Sequence, residues 1–192
     1  MRSTHLPKDA LRVLNGVDAR WWVAGGWAID LWLGSRTREH ADLDIAILRR
    51  EQRAFWELLA GWDLHLATAL EVVEPWTSGD VVPAPLHAVW CRPTPESEWA
   101  FELLLNDSEG DDWLFRRDPA VRMSLATIGD TSTDVPYLNP EIVLLYKAKS
   151  VRESDQADFD RARTRLEPSA RAWLRTALGQ AHPGHPWLAD LT

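Results

Sequence analysis

The chain has 192 residues, 45% of them hydrophobic and 26% charged, and a formal net charge of −8. This length and balance suit one domain, or two small lobes around a cleft, with a sizeable core. The acidic balance speaks against a nucleic-acid scaffold, which needs a basic field over phosphates, and favours a small, cationic partner.

In chain order, "PKDALRVLNGVDAR" reads as a first helix opened by Pro7. The segment around it lacks the apolar core of a signal peptide, and no apolar run approaches a membrane span. "WWVA" is a short strand ended by Gly25-Gly26, and "GWAIDLWLG" a helix starting on those glycines and stopped by Gly34. "SRTREHA" is a polar loop, "DLDIAIL" a strand, "REQRAFWELLAGW" a helix and "DLHLATAL" a strand. "EPWTSGDVVPAP" is a loop, and "LHAVWCRP" and "WAFELLLND" are strands expected to pair antiparallel. The single cysteine, Cys91, allows no internal disulfide, which points to the cytoplasm.

The acidic run Asp107, Glu109, Asp111 and Asp112 reads as a solvated turn that could also attract a polycation. The stretch from Phe115 to Leu138 shows no clear period. Asn139-Pro140-Glu141 then signals a helix start, with Asn139 as the cap. "SDQADFDRARTRL" and "EPSARAWLRTAL" read as two more helices, and the His182–His185 tail as a terminal cap. The twelve tryptophans read mainly as core packing and surface shelves, some being left to stack on a flat ligand.

The chemistry concentrates in "VAGGWAID" and "TREHADLDI". A strand running into Gly25-Gly26 and a helix lets the backbone approach a phosphate, with free N–H groups and a favourable dipole at the helix start. In "DLDI" the two-residue period puts Asp42 and Asp44 on one face and sends Leu43 and Ile45 to the core. Paired carboxylates repel, so they call for a hard cation such as Mg²⁺. In-line attack on a nucleotide phosphate commonly uses two metals and a third acid. Glu102 is the charge in the otherwise apolar strand "FELLLN", and is expected to face Asp42 and Asp44, bind metal and take a proton.

Each feature alone has an ordinary explanation: a wet strand face for the aspartates and Glu102, a mere turn for the glycines, solvation for Arg36 and Arg38. Asp30, on the helix after the glycines, reads as structural, paired with an arginine of the following loop.

Together these residues resemble the DNA polymerase β-type nucleotidyltransferase superfamily, and within it the branch that inactivates aminoglycoside and lincosamide antibiotics. That branch carries a GGWAID-like turn and a T-R-x-H-x-D-x-D segment. "PEIVLLYKAKS" followed by "SDQADF" is similar to the P-E-x-x-L-x-K-A-K and D-x-x-D-F pattern of related enzymes. The resemblance implies that Gly25 and Gly26 cradle the triphosphate with Arg38 and His40 nearby. It implies that Asp42, Asp44 and Glu102 bind metal, and that Lys147, or more weakly Lys149, reaches the nucleotide. Asp155 and Asp158 would orient a lysine across the helix pair.

The implied fold is α+β: a small mixed β-sheet with flanking helices in a catalytic domain over residues 1–135, then a helical bundle over 136–192. The resemblance implies an activity that transfers AMP from ATP, with two Mg²⁺, to a hydroxyl of a small molecule such as an aminoglycoside. The chain would act as a cytoplasmic monomer or homodimer. The rivals are a toxin-like nucleotidyltransferase acting on tRNA or a protein, and an inactive nucleotide-binding module.

Overall fold

Alternating apolar residues build a mixed sheet, and amphipathic segments with proline or glycine boundaries build the helices around it. The computed structural model describes residues 6–67 and 72–192. Helix α1 (Pro7–Leu14) leads to strand β1 (Trp21–Val23) and helix α2 (Gly25–Leu33). Strand β2 (Asp44–Leu48) is followed by a 3-10 turn (Arg49–Glu51) and helix α3 (Gln52–Leu58). Strands β3 (Asp63–Ala67), β4 (Val72–Pro75), β5 (Ala88–Arg92) and β6 (Phe101–Glu109) come next. The short strand β7 (Asp112–Leu114) begins at the end of the acidic run, and β8 (Arg122–Ser124), β9 (Gly129–Asp130) and β10 (Tyr137–Leu138) occupy the stretch that shows no clear period in sequence. Helices α4 (Pro140–Lys147), α5 (Glu153–Ala162) and α6 (Pro168–Ala181) and a 3-10 helix (Pro186–Leu191) close the chain.

The strand order is β4-β3-β5-β6-β2-β1-β10-β9, with β7 joining β6 to β8. The pairs β2–β6 and β1–β10 are parallel, and β5–β6 is antiparallel as expected. The α+β class with a mixed sheet is therefore as the sequence implies. Leu43 and Ile45 are almost fully buried, each contributing about 1.5–3 kcal/mol.

Several elements differ from expectation. Strand β2 begins at Asp44, not Asp42, because the last rung to β6 is the Glu102 N–H donating to the Leu43 carbonyl at 2.9 Å. The first helix stops at Leu14, before Asn15-Gly16. The end of "DLHLATAL", residues 68–70, lies outside the described residues, as does the start of the N-terminal segment. Glu74 and Pro75, read as loop, extend β4. The acidic run is a hairpin whose members are mostly engaged. Asp107 pairs with Arg49 at 2.5 Å, and Glu109 and Asp112 pair with Arg122 at 3.3 and 3.5 Å. Tyr137 and Leu138 still pair within the sheet, so the purely helical part starts at Pro140.

Asn139 stands at the start of α4 without capping it. Its amide donates instead to the Thr127 carbonyl at 2.8 Å, binding the helix to the preceding loop. His185 does cap the last 3-10 helix, its Nδ1 accepting from the Trp187 N–H at 3.2 Å, and Trp187 stacks on Phe159. Among the described residues, no helix is long and apolar enough to cross a membrane. Cys91 is buried and free.

Candidate active site

The site forms where β1 hands over to α2. The Ala24 N–H donates to the Asp44 carbonyl at 2.8 Å, so the chain leaves β1 directly beside Asp44. Gly25 then turns with φ +59°. A Cβ there would meet Asp44 Oδ2 at 2.0 Å, so glycine is required both for the turn and for the carboxylate beside it. A Cβ on Gly26 would meet Arg38 Nη2 at 2.1 Å and His40 Nδ1 at 2.6 Å. The two glycines thus admit three of the side chains singled out in sequence, while the first turn of α2 keeps free N–H groups for an anion.

Register places the acids. Asp44 on β2 lies opposite Glu102 on β6, Glu102 opposite Trp90 on β5, and Trp90 opposite His65 on β3. Residues in register share a face, so this row runs across four strands. Trp99 packs edge-on against both Trp90 and His65, and Arg92 lies over the Trp99 ring at 4.3 Å. The acids therefore stand at one end of a half-buried aromatic shelf.

Burial pushes the Asp44 carboxyl well up, and the charges of Asp42 and Glu102 push it further, while Lys147 and Arg152 pull it back. Burial likewise raises Glu102 to about 7, with Asp42 adding to the rise and a hydrogen bond from the Trp90 indole opposing it. Asp42 itself is exposed at the rim. Among the described residues no three Asp, Glu, His or Cys side chains stand in a ready-made metal cage. The donor chemistry nonetheless fits a hard divalent cation: carboxylate oxygens that repel one another, gathered where a cation would relieve the repulsion.

Lys147, on the last turn of α4, faces this end of the sheet. Its Nζ donates to Asp155 at 2.5 Å and Asp158 at 3.1 Å, so the two α5 aspartates do orient it. Asp155 also accepts from Arg152 Nε at 2.9 Å. Burial would raise Asp155, but the bonds from Arg152 and Lys147 prevail and bring it down to about 2. Burial opposes ionisation of Asp158 too, and Arg38 and Lys147 hold it below the ordinary range.

Arg38 and His40 stand against Gly26, near the glycine turn as the resemblance implies, and both also have protein partners. Arg38 grips Asp158 through Nε and Nη2, at 2.9 and 2.8 Å, and its Nη1 donates to the Glu39 carbonyl at 2.9 Å. His40 is buried, its Nε2 2.6 Å from Asp30 Oδ2 and its ring 4.2 Å from that of Trp27. Burial lowers the His40 pKa, the Asp30 bond opposing and Arg38 reinforcing the shift. Asp30 also accepts from the Thr37 hydroxyl at 2.6 Å. Its partners are thus Thr37 and His40 rather than an arginine: the loop folds back over α2, and its arginine reaches past to α5. Lys149 is exposed in the turn after α4 and does not line the cavity described next.

A cavity of about 230 Å³ opens between the sheet face and α4. Gly25, Asp44, Lys147 and Arg152 line one part, and Asn106, Tyr146, Arg116 and Arg117 another. Asn106 is locked by Trp113 and Tyr146, whose Nε1 and hydroxyl donate to its Oδ1 at 3.0 and 3.2 Å. Sequence reasoning passed over Arg116, Arg117 and Arg152. Adjacent arginines in an acidic chain were the available signal for the first two.

Comparison with known proteins agrees with this architecture. A family model described as aminoglycoside-2''-adenylyltransferase matches residues 8–74. The lincosamide antibiotic adenylyltransferase LnuA, solved bound to lincomycin, superposes with TM-score 0.56 at 17% identity, covering 83% of this chain and 96% of that one. ANT(2")-Ia, solved in complex with adenylyl-2"-tobramycin, gives TM-score 0.54 at 15% identity, covering 88% of this chain and 93% of that one. No curated protein sequence gives a significant match. The chain therefore shares the fold of these two adenylyltransferases, and its residues 8–74, which carry the glycine turn and Asp44, are similar to the aminoglycoside-2''-adenylyltransferase family.

Proposed function

We propose that this protein is a Mg²⁺-dependent adenylyltransferase that moves AMP from ATP onto a hydroxyl of a small cationic molecule of aminoglycoside or lincosamide type. The observation that carries this reading is the register pair Asp44–Glu102, set against the Gly25 turn and facing Lys147. Asp42, Asp44 and Glu102 would hold Mg²⁺, which supplies Lewis-acid stabilisation of phosphate charge. In the transfer, the acceptor oxygen bonds to the α-phosphorus as the bond from that phosphorus to the β-bridging oxygen breaks, and pyrophosphate leaves. The acceptor proton passes to Glu102, whose burial beside Asp42 raises its affinity for a proton. Gly25, Gly26 and Lys147 position the triphosphate. Arg38 and His40 act behind them, holding the loop and the helical part in place.

Both structural neighbours were solved with antibiotic ligands, which supports a small-molecule acceptor. The shelf of Trp90 and Trp99 beside Glu102 offers a sugar ring an apolar face to lie on. The net charge of −8 disfavours tRNA as the acceptor. The test is mass spectrometry of purified protein with MgATP and a pooled aminoglycoside and lincosamide panel. An adduct heavier by one AMP, absent with Asp44→Asn, is the expected result. MgATP binding without any small-molecule adduct would overturn the acceptor assignment.

A further inference from the structure

Two arginines stand side by side in the cavity wall without acidic partners. Among the described residues, neither Arg116 nor Arg117 forms an ion pair, although Asp and Glu outnumber Lys and Arg by 29 to 21 in the chain. The carboxylate next in sequence, Asp118, is turned away and accepts from Gln180 at 3.0 Å. Arg117 is fixed in place: its Nη1 donates to the Tyr146 carbonyl at 2.8 Å and its guanidinium lies over the Phe115 and Tyr146 rings. Its Nε is buried with no hydrogen-bond partner. Burial and the neighbouring Arg116 lower the Arg117 pKa, so the pair is held against its own repulsion.

Two adjacent half-buried cations with unused donors, one of them the buried Arg117 Nε, call for an anion. The same cavity reaches Gly25, Lys147 and Arg152, all on the nucleotide side of the acids. A polycationic acceptor would be repelled from this wall and must approach over the aromatic shelf instead.

We infer that Arg116 and Arg117 form the seat for the β- and γ-phosphates of the incoming nucleotide, and hold pyrophosphate after transfer. This rests on the nucleotidyltransferase reading above. Arginine suits the task because its planar fork can bind two phosphate oxygens at once. The pair would act on substrate binding and product release, not on the acceptor.

The test is calorimetric titration with MgATP, Mg-pyrophosphate and AMP, on the wild type, Arg116→Ala and Arg116→Lys. Arg116 is chosen because Arg117 also packs the wall. Arg116→Ala should weaken ATP and pyrophosphate about tenfold and AMP less than about twofold, with Arg116→Lys intermediate. Equal affinity for pyrophosphate in wild type and Arg116→Ala would overturn the inference while leaving the nucleotidyltransferase reading intact. A wild type that binds neither nucleotide nor pyrophosphate would sink both. Hydrogen exchange on the wild type gives a readout that needs no variant. Pyrophosphate should protect the segments around Arg116 and Lys147, and protection elsewhere only would count against the seat.

Discussion

Arg38 and Asp158 form a two-point ion pair across 120 positions of the chain, at 2.9 and 2.8 Å, with Asp158 almost fully buried. Asp158 in turn holds Lys147, so the loop before β2 is linked through α5 to the lysine that faces Asp44. Removing Arg38 leaves a buried carboxylate short of a partner. Arg38→Met should cost about 3 kcal/mol in urea unfolding, and Arg38→Lys, lacking the fork, should recover only part. A loss no larger than that of an exposed ion pair would show that the link is incidental.

Asp155 and Asp158 titrate lower in the folded chain than in the unfolded one. Their ionised forms therefore favour folding above the ordinary carboxylate value of 3.8, and this contribution is lost as pH falls through the folded value, about 2 for Asp155. The stability gap between wild type and Asp155→Asn should be full at pH 6 and shrink as pH drops from roughly 4 towards 2. Chemical unfolding at a series of pH values measures it, and a gap that does not change with pH would count against this account.

Gly25→Ala should be far more harmful than its size suggests. The added Cβ would sit 2.0 Å from Asp44 Oδ2, on a backbone with φ +59°. Displacing Asp44 by an ångström should lower kcat about 100-fold. Comparing kcat with the melting temperature separates displacement of the carboxylate from general unfolding.

Asp44→Asn should abolish transfer yet make the metal-free protein more stable. Burial, Asp42 and Glu102 all oppose the charge on Asp44, and the amide removes it with little change of shape. A gain of about 1 kcal/mol is expected without metal, typical of relieving an active-site conflict. Mg²⁺ should raise the melting temperature of the wild type and not of the variant. The reverse order of stabilities would show that Asp44 is held by something other than a cation.

Lys147 and Lys149 should separate cleanly. Lys147 is nearly buried and lines the cavity, whereas Lys149 is exposed off it. Lys147→Ala should weaken MgATP about tenfold or more, and Lys149→Ala should leave it within about twofold. Equal effects would mean that the ammonium acts only through its general field.

Local patterns carried much of the architecture. The glycine turn, the alternation around Asp44 and the Asn139-Pro140-Glu141 helix start are set within a few residues, by backbone sterics and side-chain period. The register of Glu102 opposite Asp44 was anticipated because a lone acid in an apolar strand needs a partner. Less legible were the short strands from β8 to β10, whose two or three residues are too few to show a period.

By itself, then, the sequence determined the strand–turn–helix unit, the strand positions of Asp44 and Glu102 and the class of fold, because each rests on neighbours in the chain. Only the tertiary structure decided that Arg38 serves Asp158, that His40 is spent on Asp30, that Lys147 rather than Lys149 lines the cavity, and that Arg116 and Arg117 share its wall. A charged side chain's partner depends on which distant element packs beside it, and that choice is made by burial across the whole core rather than by local spacing.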